Sequence, residues 1–141
     1  MTAEQQFSTL MNVLIPYANQ QLASGAVMLP VGLVLDDAQG AELITVTRDM
    51  ADDLQGLVNV LQKELVACVS EEPINATCIA YPDYDNLWLV CLLENRQNYS
   101  TLYRVPLDTI NNQLMCVPQD TEVENSYVYI FPLCDDNPFK N

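Results

Sequence analysis

Apolar residues recur at helical spacing in the first part of the chain, which predicts a helix over residues 3–24. Its start has the pattern of a capping box, because Thr2 is followed by Gln5 three positions later. Pro16 lies inside this stretch and is expected to kink or split the helix, since proline has no N–H donor. The apolar stripe consists of Phe7, Leu10, Met11, Leu14, Ala18 and Leu22.

A second stripe with helical spacing predicts a helix over residues 50–69. Asp49 stands where an N-cap residue is preferred, and Asp52 and Asp53 fall in the predicted first turn. Carboxylates at these positions interact favourably with the positive end of the helix dipole. The stripe is formed by Leu54, Leu57, Val58, Leu61, Leu65 and Cys68.

Between and after the two helices the apolar pattern changes to that of β-strands. The segment 36–40, Asp-Asp-Ala-Gln-Gly, is typical of a turn and predicts a hairpin ahead of the second helix. Beyond Pro73, short turn-like segments separate further apolar runs. The predicted strands cover residues 27–35, 41–47, 74–81, 87–94, 99–106, 114–117 and 127–131.

The segments near the C-terminus are expected to be irregular. Residues 108–112 predict a loop or a single helical turn, and the acidic segment 120–124 is expected to connect the last two strands. The tail over residues 134–141 is polar and contains Pro138, so we expect it to be loosely held.

The order of these elements, α-β-β-α-β-β-β-β, predicts an α+β fold. The links between consecutive strands are too short for parallel crossovers, so the sheet is expected to be antiparallel, with about five to seven strands. Both helices are predicted to pack on one face of this sheet. No linker divides the chain, which predicts a single domain over residues 1–141.

Composition and charge exclude several classes of function. The 141 residues include 19 Asp or Glu, 5 Lys or Arg and no His, which gives a formal net charge of −14. Without histidine the chain cannot build a Ser-His-Asp triad, a Cys-His pair or a zinc site with imidazole ligands. Five basic residues cannot neutralise a nucleic-acid backbone, so direct binding of nucleic acid is not expected.

The N-terminus and the cysteines predict the compartment. No Lys or Arg precedes the apolar residues of the N-terminus, so a secretory signal is not expected, and no apolar run is long enough to span a membrane. The odd number of cysteines and the absence of a C-x-x-C motif predict buried free thiols in a reducing cytoplasm. The five cysteines are Cys68, Cys78, Cys91, Cys116 and Cys134.

One loop contains the residue types of a calcium site. The segment 83–86, Asp-Tyr-Asp-Asn, is similar to the opening of a calcium-binding loop, but Leu87 occupies the next ligand position and the glycine is missing. A solvated hairpin turn is therefore the favoured interpretation. No pair among the 19 carboxylates is singled out for acid–base chemistry, and neither a metal nor a cofactor is expected.

Aromatic residues cluster around the predicted central strands. By alternation, Trp88 shares a face with Val90 and Leu92, and the opposite face of the same strand is also apolar. One face then requires cover from another segment, a second copy of the chain or another protein. Tyrosine and tryptophan contribute strongly to interface energies, although ordinary strand or core positions are the alternative interpretation. The predicted partner surface consists of Tyr81, Tyr84, Trp88, Tyr99 and Tyr103.

The N-terminal half carries a series of short motifs. Residues 14–18, Leu-Ile-Pro-Tyr-Ala, are followed by Pro30-Val31-Gly32 and by the acidic hairpin over 35–40. In this combination the chain resembles a family of small bacterial proteins of unknown function with an L-x-P-Y-A helix and a P-x-G strand. The resemblance implies an α+β fold and no particular activity. The layout is also similar to that of acidic secretion chaperones, whose helix-and-sheet units dimerise.

Three hypotheses for function follow from these observations. The first is a non-enzymatic cytoplasmic module that binds another protein, as an immunity protein or a chaperone does. Its negative charge favours a basic partner, and a second copy of the chain stays open as a partner. The second is an acidic mimic of nucleic acid that inhibits a nucleic-acid-binding protein. The third is a small enzyme or ligand-binding domain that uses carboxylates and tyrosines.

Overall fold

The computed structural model describes residues 1–134, which contain two helices and seven strands. The helices are α1 (Ala3–Ala23) and α2 (Leu54–Glu71), and single 3-10 turns lie at Arg48–Met50 and Pro118–Asp120. The strands are β1 (Val31–Asp36), β2 (Ala41–Thr45), β3 (Ile74–Asp83), β4 (Trp88–Asn95), β5 (Ser100–Ile110), β6 (Gln113–Cys116) and β7 (Glu122–Asn125).

The seven strands form one antiparallel sheet, in which six follow the order β2-β1-β3-β4-β5-β6 and β7 pairs with β5. Strand β5 is long enough to pair with two partners on its outer side. Residues 101–104 pair with β7, and residues 107–110 pair with β6. The α+β class and the antiparallel sheet that the sequence predicts are therefore confirmed.

The two helices lie on opposite faces of the sheet, whereas the sequence predicted both on one face. In β1, Leu33 and Leu35 belong to the core under α1, while Val34 belongs to the core under α2. The neighbouring strand β3 alternates in the same way, with Cys78 facing α1 and Ile79 facing α2. Because successive side chains of a strand point to opposite faces, the buried central strands require cover on both sides.

Helix α1 begins as the capping-box pattern predicts. The hydroxyl of Thr2 accepts a hydrogen bond from the N–H of Gln5 at 3.1 Å, and the Gln5 side chain accepts one from the N–H of Thr2 at 2.9 Å. Pro16 does not split the helix, which continues without interruption over its full length. The ring of Pro16 is exposed, while Leu14 and Ala18 on either side of it are buried, so the core holds this turn against the sheet.

Helix α2 starts four residues later than predicted. Asp53 is its N-cap, and the carboxylate of Asp53 accepts a hydrogen bond from the N–H of Gly56 at 2.7 Å. Asp49, the predicted N-cap, instead lies in the 3-10 turn and accepts a hydrogen bond from the hydroxyl of Thr47. A Cβ at Gly56 would lie 2.8 Å from the Cβ of Ala51, which shows how closely the preceding turn packs against the helix start.

The strands near the C-terminus differ from the prediction. Strand β5 continues to Ile110 and includes most of the predicted loop over 108–112. The turn to β6 uses Asn111 and Asn112 at positive φ angles of 52° and 65°, a region that asparagine adopts more readily than most residues. The acidic segment 120–124, predicted as a connection, contributes most of strand β7.

Residues 126–134, here called the C-terminal strap, contain no helix or strand, so the strand predicted over 127–131 is wrong. The strap packs on the α2 face of the sheet, where two of its apolar side chains are buried. Cys134 at its end is hydrogen-bonded to the β4–β5 turn. The remainder of the predicted loose tail, residues 135–141, lies outside the described residues.

Each face of the sheet carries its own hydrophobic core. The α1-face core includes the buried thiols of Cys78, Cys91 and Cys116. All five cysteines lie within the described residues and are unpaired, as predicted, although Cys68 and Cys134 are only half-buried. Within residues 1–134, no helix combines the length and the apolar character that crossing a membrane requires.

Candidate functional site

The predicted partner surface does not form one patch. Alternation along the paired strands places Tyr81 and Trp88 on the α2 face of the sheet and Tyr103 on the α1 face. Tyr84 and Tyr99 lie in the β3–β4 and β4–β5 turns. The structure therefore brings two of the five residues to the same face and separates the other three from them.

The two turn tyrosines have different surroundings. The hydroxyl oxygen of Tyr84 accepts a hydrogen bond from the N–H of Met28 at 3.1 Å, which ties the β3–β4 turn to the segment before β1. The side chain of Tyr99 is 64% exposed, although its N–H donates to the Asn95 side chain at 2.9 Å. Tyr84 thus has a structural contact, and the ring of Tyr99 stands in solvent.

A buried carboxylate holds the strap on the α2 face. Glu94 is 4% exposed, and its two oxygens accept hydrogen bonds from three consecutive N–H groups of the strap. The donors are Tyr129 at 3.0 Å, Ile130 at 2.7 Å and Phe131 at 2.9 Å. Burial raises the pKa of Glu94 and outweighs the opposite effect of the three N–H groups. Because the strap has no regular secondary structure, these bonds replace those that a helix or strand would provide.

The β4–β5 turn makes further contacts with the strap. The Arg96 guanidinium lies over the ring of Phe131, 5.4 Å from its centroid. The side chain of Asn98 donates a hydrogen bond to the carbonyl of Pro132 at 3.0 Å and accepts one from the N–H of Cys134. The strap is therefore held along its C-terminal half by polar side chains of β4 and the following turn.

Between α2 and the strap the sheet face stays open and forms a cavity of about 460 Å³, here called the tyrosine groove. Its floor consists of the half-buried side chains of Tyr81, Leu92 and Leu102, which come from three adjacent strands. On the strap side, Tyr127 and Tyr129 are 69% and 55% exposed, and their rings meet edge to face at 6.5 Å. The remaining lining residues are Gln55, Val58, Gln62, Asn125 and Ser126.

The tyrosine groove combines aromatic surface with neutral hydrogen-bonding groups. Burial raises the pKa of Tyr81 and the Asp83 carboxylate raises it further, while the Arg104 guanidinium lowers it. The hydroxyl of Tyr81 therefore stays protonated at neutral pH and can donate a hydrogen bond. The positive charge of Arg104 is offset by Glu124, whose carboxylate oxygen lies 2.7 Å from its Nη1.

A second cavity, of about 530 Å³, lies on the α1 face and is here called the helix groove. It is formed by helix α1, Tyr103 and the segment over 118–123. Burial raises the pKa of Tyr103, and the carboxylate of Glu4 raises it further. Of the five predicted residues, Tyr81 and Tyr103 thus each line a large groove, on opposite faces of the sheet. The other helix-groove residues are Ser8, Met11, Asn12, Ile15, Pro16, Pro118, Thr121 and Val123.

Sequence reasoning did not single out most residues that shape the α2 face. Glu94 carried a usable signal, because a lone carboxylate on an otherwise apolar strand face requires partners if it is buried. Tyr127 and Tyr129 alternate with apolar residues, which is typical of a strand and conceals an irregular segment. Leu92 and Leu102 are indistinguishable from core residues until their cover is known.

The described residues offer no metal centre, and burial disfavours the thiolate form of two core cysteines. Within residues 1–134, no group of three or more His, Cys, Asp or Glu side chains is placed to hold a metal ion. In the calcium-like loop, the Asp83 carboxylate accepts hydrogen bonds from Asp85 and Asn86, which lower its pKa, so the loop is the hydrogen-bonded turn that the sequence predicts. Burial raises the pKa of Cys116 to about 11 and that of Cys91 well above its ordinary value.

No protein-family model, no curated protein and no solved structure matches this chain. The resemblance to small bacterial proteins with an L-x-P-Y-A helix therefore stays a prediction. Function has to be inferred from the geometry and chemistry of the two grooves.

Proposed function

We propose that this protein is a non-enzymatic binding module whose tyrosine groove receives an extended, basic segment of another protein. The observation that carries this proposal is the open strip of sheet between α2 and the strap, where Tyr81, Leu92 and Leu102 are only half-buried. Most other side chains of β1, β3 and β4 are buried. This strip is thus apolar sheet surface that a partner would remove from water.

The shape of the groove favours an extended segment over a folded domain. A cavity of about 460 Å³ receives a few side chains. The side-chain amides of Gln55, Gln62 and Asn125 line it and can donate to and accept from the main chain of a peptide. The exposed rings of Tyr127 and Tyr129 provide a large contact area with little loss of conformational entropy on binding.

The charge of the chain favours a basic partner. A net charge of −14 steers basic proteins towards this one, and this steering weakens as salt screens it. The faces of Tyr127 and Tyr129 also attract lysine and arginine side chains. Arg104 does not oppose such a partner, because Glu124 offsets its charge.

The unpaired cysteines are compatible with a reducing compartment, and this supports the cytoplasm as the proposed place of action. An immunity protein that binds a toxin and a chaperone that binds a secreted protein are the two concrete versions of the proposal. The acidic mimic of nucleic acid and the small enzyme stay hypotheses from the sequence, because no observation favours either over the groove.

Selection from a displayed library of random dodecapeptides tests this proposal. Wild-type protein is the target, and the variant Tyr127→Ser/Tyr129→Ser, which lacks both exposed rings, is the counter-target. We expect enriched peptides to carry lysine or arginine beside aromatic or aliphatic residues. Their affinity for the double variant should be lower by about tenfold or more, because aromatic anchors dominate binding energy. Binding should also weaken at high salt.

Tyr99→Ser is the matched control, because Tyr99 is 64% exposed but lines neither groove. The selected peptides should bind this variant as tightly as the wild type. Three outcomes contradict the proposal: enrichment of acidic peptides, peptides that bind the double variant and the wild type equally, and no enrichment at all.

A further inference from the structure

The helix groove lies on the opposite face of the sheet from the tyrosine groove and has a different chemistry. Its apolar surface comes from Met11 and Ile15 of α1, Tyr103 of β5 and Val123 of β7. A volume of about 530 Å³ with an apolar lining and a few polar groups is typical of a small-molecule site. The polar groups therefore decide which ligand it fits.

Pro16 removes a hydrogen bond from the wall of this groove. In an α-helix the N–H of residue 16 would donate to the carbonyl oxygen of Asn12, but proline has no N–H. Asn12 and Pro16 both line the helix groove, so the break in the helical hydrogen-bond ladder between them falls along the groove wall. A carbonyl that lacks its helical donor requires a donor from water or from a ligand.

Glu4 contributes negative charge towards the other end of the groove. Its carboxylate lies near Tyr103, whose pKa it raises, and no Lys or Arg side chain is among the lining residues. Glu4 and Asn12 are eight residues apart on the same helix, which corresponds to about 12 Å along its axis at 1.5 Å per residue. The groove thus has two separated acceptors with apolar surface between them.

We propose that the helix groove binds an elongated aliphatic dication, with one ammonium group at the carboxylate of Glu4 and the other at the carbonyl oxygen of Asn12. The methylene chain lies on Tyr103 and the neighbouring apolar side chains. Diamines and polyamines belong to this chemical class, and the net charge of −14 favours them. This inference is independent of the peptide proposal, because it uses the other face of the sheet.

A homologous series of terminal diaminoalkanes, from diaminobutane to diaminododecane, tests the spacing of the two acceptors. Isothermal titration calorimetry on the wild-type protein should show maximal affinity at an intermediate chain length near diaminooctane, whose extended length is close to the helical rise of about 12 Å between residues 4 and 12. Diaminooctane should bind about tenfold more tightly than octylamine, which has a single ammonium group. Amide chemical shifts should change along α1 and β7.

Variants of the two acceptors separate their contributions. Glu4→Gln should weaken diaminooctane binding about tenfold, whereas Glu64→Gln, which removes an exposed carboxylate on α2, should leave it unchanged. Pro16→Ala restores the N–H that bonds to the carbonyl oxygen of Asn12. This variant should therefore bind diaminooctane only as tightly as it binds octylamine. The melting temperature of this variant should rise, because the helix gains a hydrogen bond.

A loss of affinity together with a gain in stability excludes unfolding as its cause. Affinity that rises steadily with chain length, without a maximum, would overturn the proposal. So would equal binding of octylamine and diaminooctane, or unchanged diaminooctane binding by Pro16→Ala.

Discussion

The two faces of the sheet are covered in different ways. On the α1 face a long helix satisfies its own backbone hydrogen bonds apart from the one that Pro16 removes, so buried side chains such as Leu10 and Leu14 only have to pack. On the α2 face a shorter helix covers β1 and β3, and the strap covers another part of the sheet. The strap has no regular structure, so its N–H and C=O groups depend on Glu94 and Asn98.

The difference shows what an irregular cover requires from the sheet beneath it. Buried backbone groups need partners, and where secondary structure does not provide them, side chains of the sheet must do so. The strap therefore places a buried carboxylate in a largely apolar layer. It also leaves a gap beside α2, and this gap is the tyrosine groove.

Truncation in the α1-face core should have the largest effect on stability. Leu14 is fully buried, so Leu14→Ala removes packing contacts and leaves a cavity, at an expected loss of about 3 kcal/mol in the free energy of unfolding. Urea denaturation measures this loss. Gln20→Ala, on the exposed side of the same helix, is the control and should change stability little. If Leu14→Ala lowered the free energy of unfolding as little as the control does, side-chain packing would not be what stabilises the α1 face.

Removal of the strap anchor should have a smaller and more local effect. Glu94→Ala leaves three N–H groups without their acceptor, and we expect a loss of about 2 kcal/mol because the strap can release into water. Hydrogen exchange should show lost protection at residues 129–131 and retained protection in α1. Glu42→Ala, which removes an exposed carboxylate on β2, should change neither the free energy of unfolding nor the hydrogen-exchange protection. Equal loss of protection in α1 would show that the two faces are not independent.

Titration of Glu94 should make the stability of the folded protein depend on pH, with a smaller effect than the two substitutions above. Burial raises the folded-state pKa of Glu94 above its ordinary value of 4.5. The folded protein thus favours the neutral form of the Glu94 side chain. The contribution of this preference to the free energy of unfolding is fully present below pH 4.5 and is lost as pH rises through the folded-state pKa. Urea denaturation should show wild type losing stability relative to the non-titrating Glu94→Gln as pH rises above 4.5. The opposite trend would mean that the three N–H groups outweigh burial.

Thiol labelling should distinguish the strap from the buried core of the α1 face. Iodoacetamide should react with the half-buried Cys134 of the strap before the buried Cys78, Cys91 and Cys116, whose thiolates are disfavoured or inaccessible. Glu94→Ala should speed the labelling of Cys134 alone, because the strap is released. Mass spectrometry of the labelled protein locates the modified residues. Unchanged labelling of Cys134 in this variant would argue against Glu94 as the anchor.

Features that depend on near neighbours in the sequence were predicted well. The capping box of Thr2 and Gln5 forms as expected, and in the first hairpin the N–H of Gly40 donates to the Asp36 carboxylate at 2.9 Å. The predicted start of α2 was wrong because several aspartates in this segment are suitable N-cap residues. The choice of Asp53 over Asp49 depends on the 3-10 turn that precedes the helix.

The candidate site was predicted only in part. Tyr81 lines the tyrosine groove, but Tyr103, which the sequence placed on the same surface, faces α1 because strand register assigns it to the other side. The strap tyrosines Tyr127 and Tyr129 were assigned to a strand. Their position depends on hydrogen bonds to Glu94, more than thirty residues earlier in the chain.

The two helices and the antiparallel hairpins could be predicted from the sequence, because they follow from interactions between residues close together in the chain. The pairing of β1 with β3 instead joins segments that are distant in the chain. The placement of the helices on opposite faces and the cover of part of one face by the strap become apparent only in the folded chain. Those arrangements depend on which apolar surfaces stay uncovered once β1 and β3 are buried between their neighbours. They also depend on which distant side chains can satisfy the backbone of the segment that covers them.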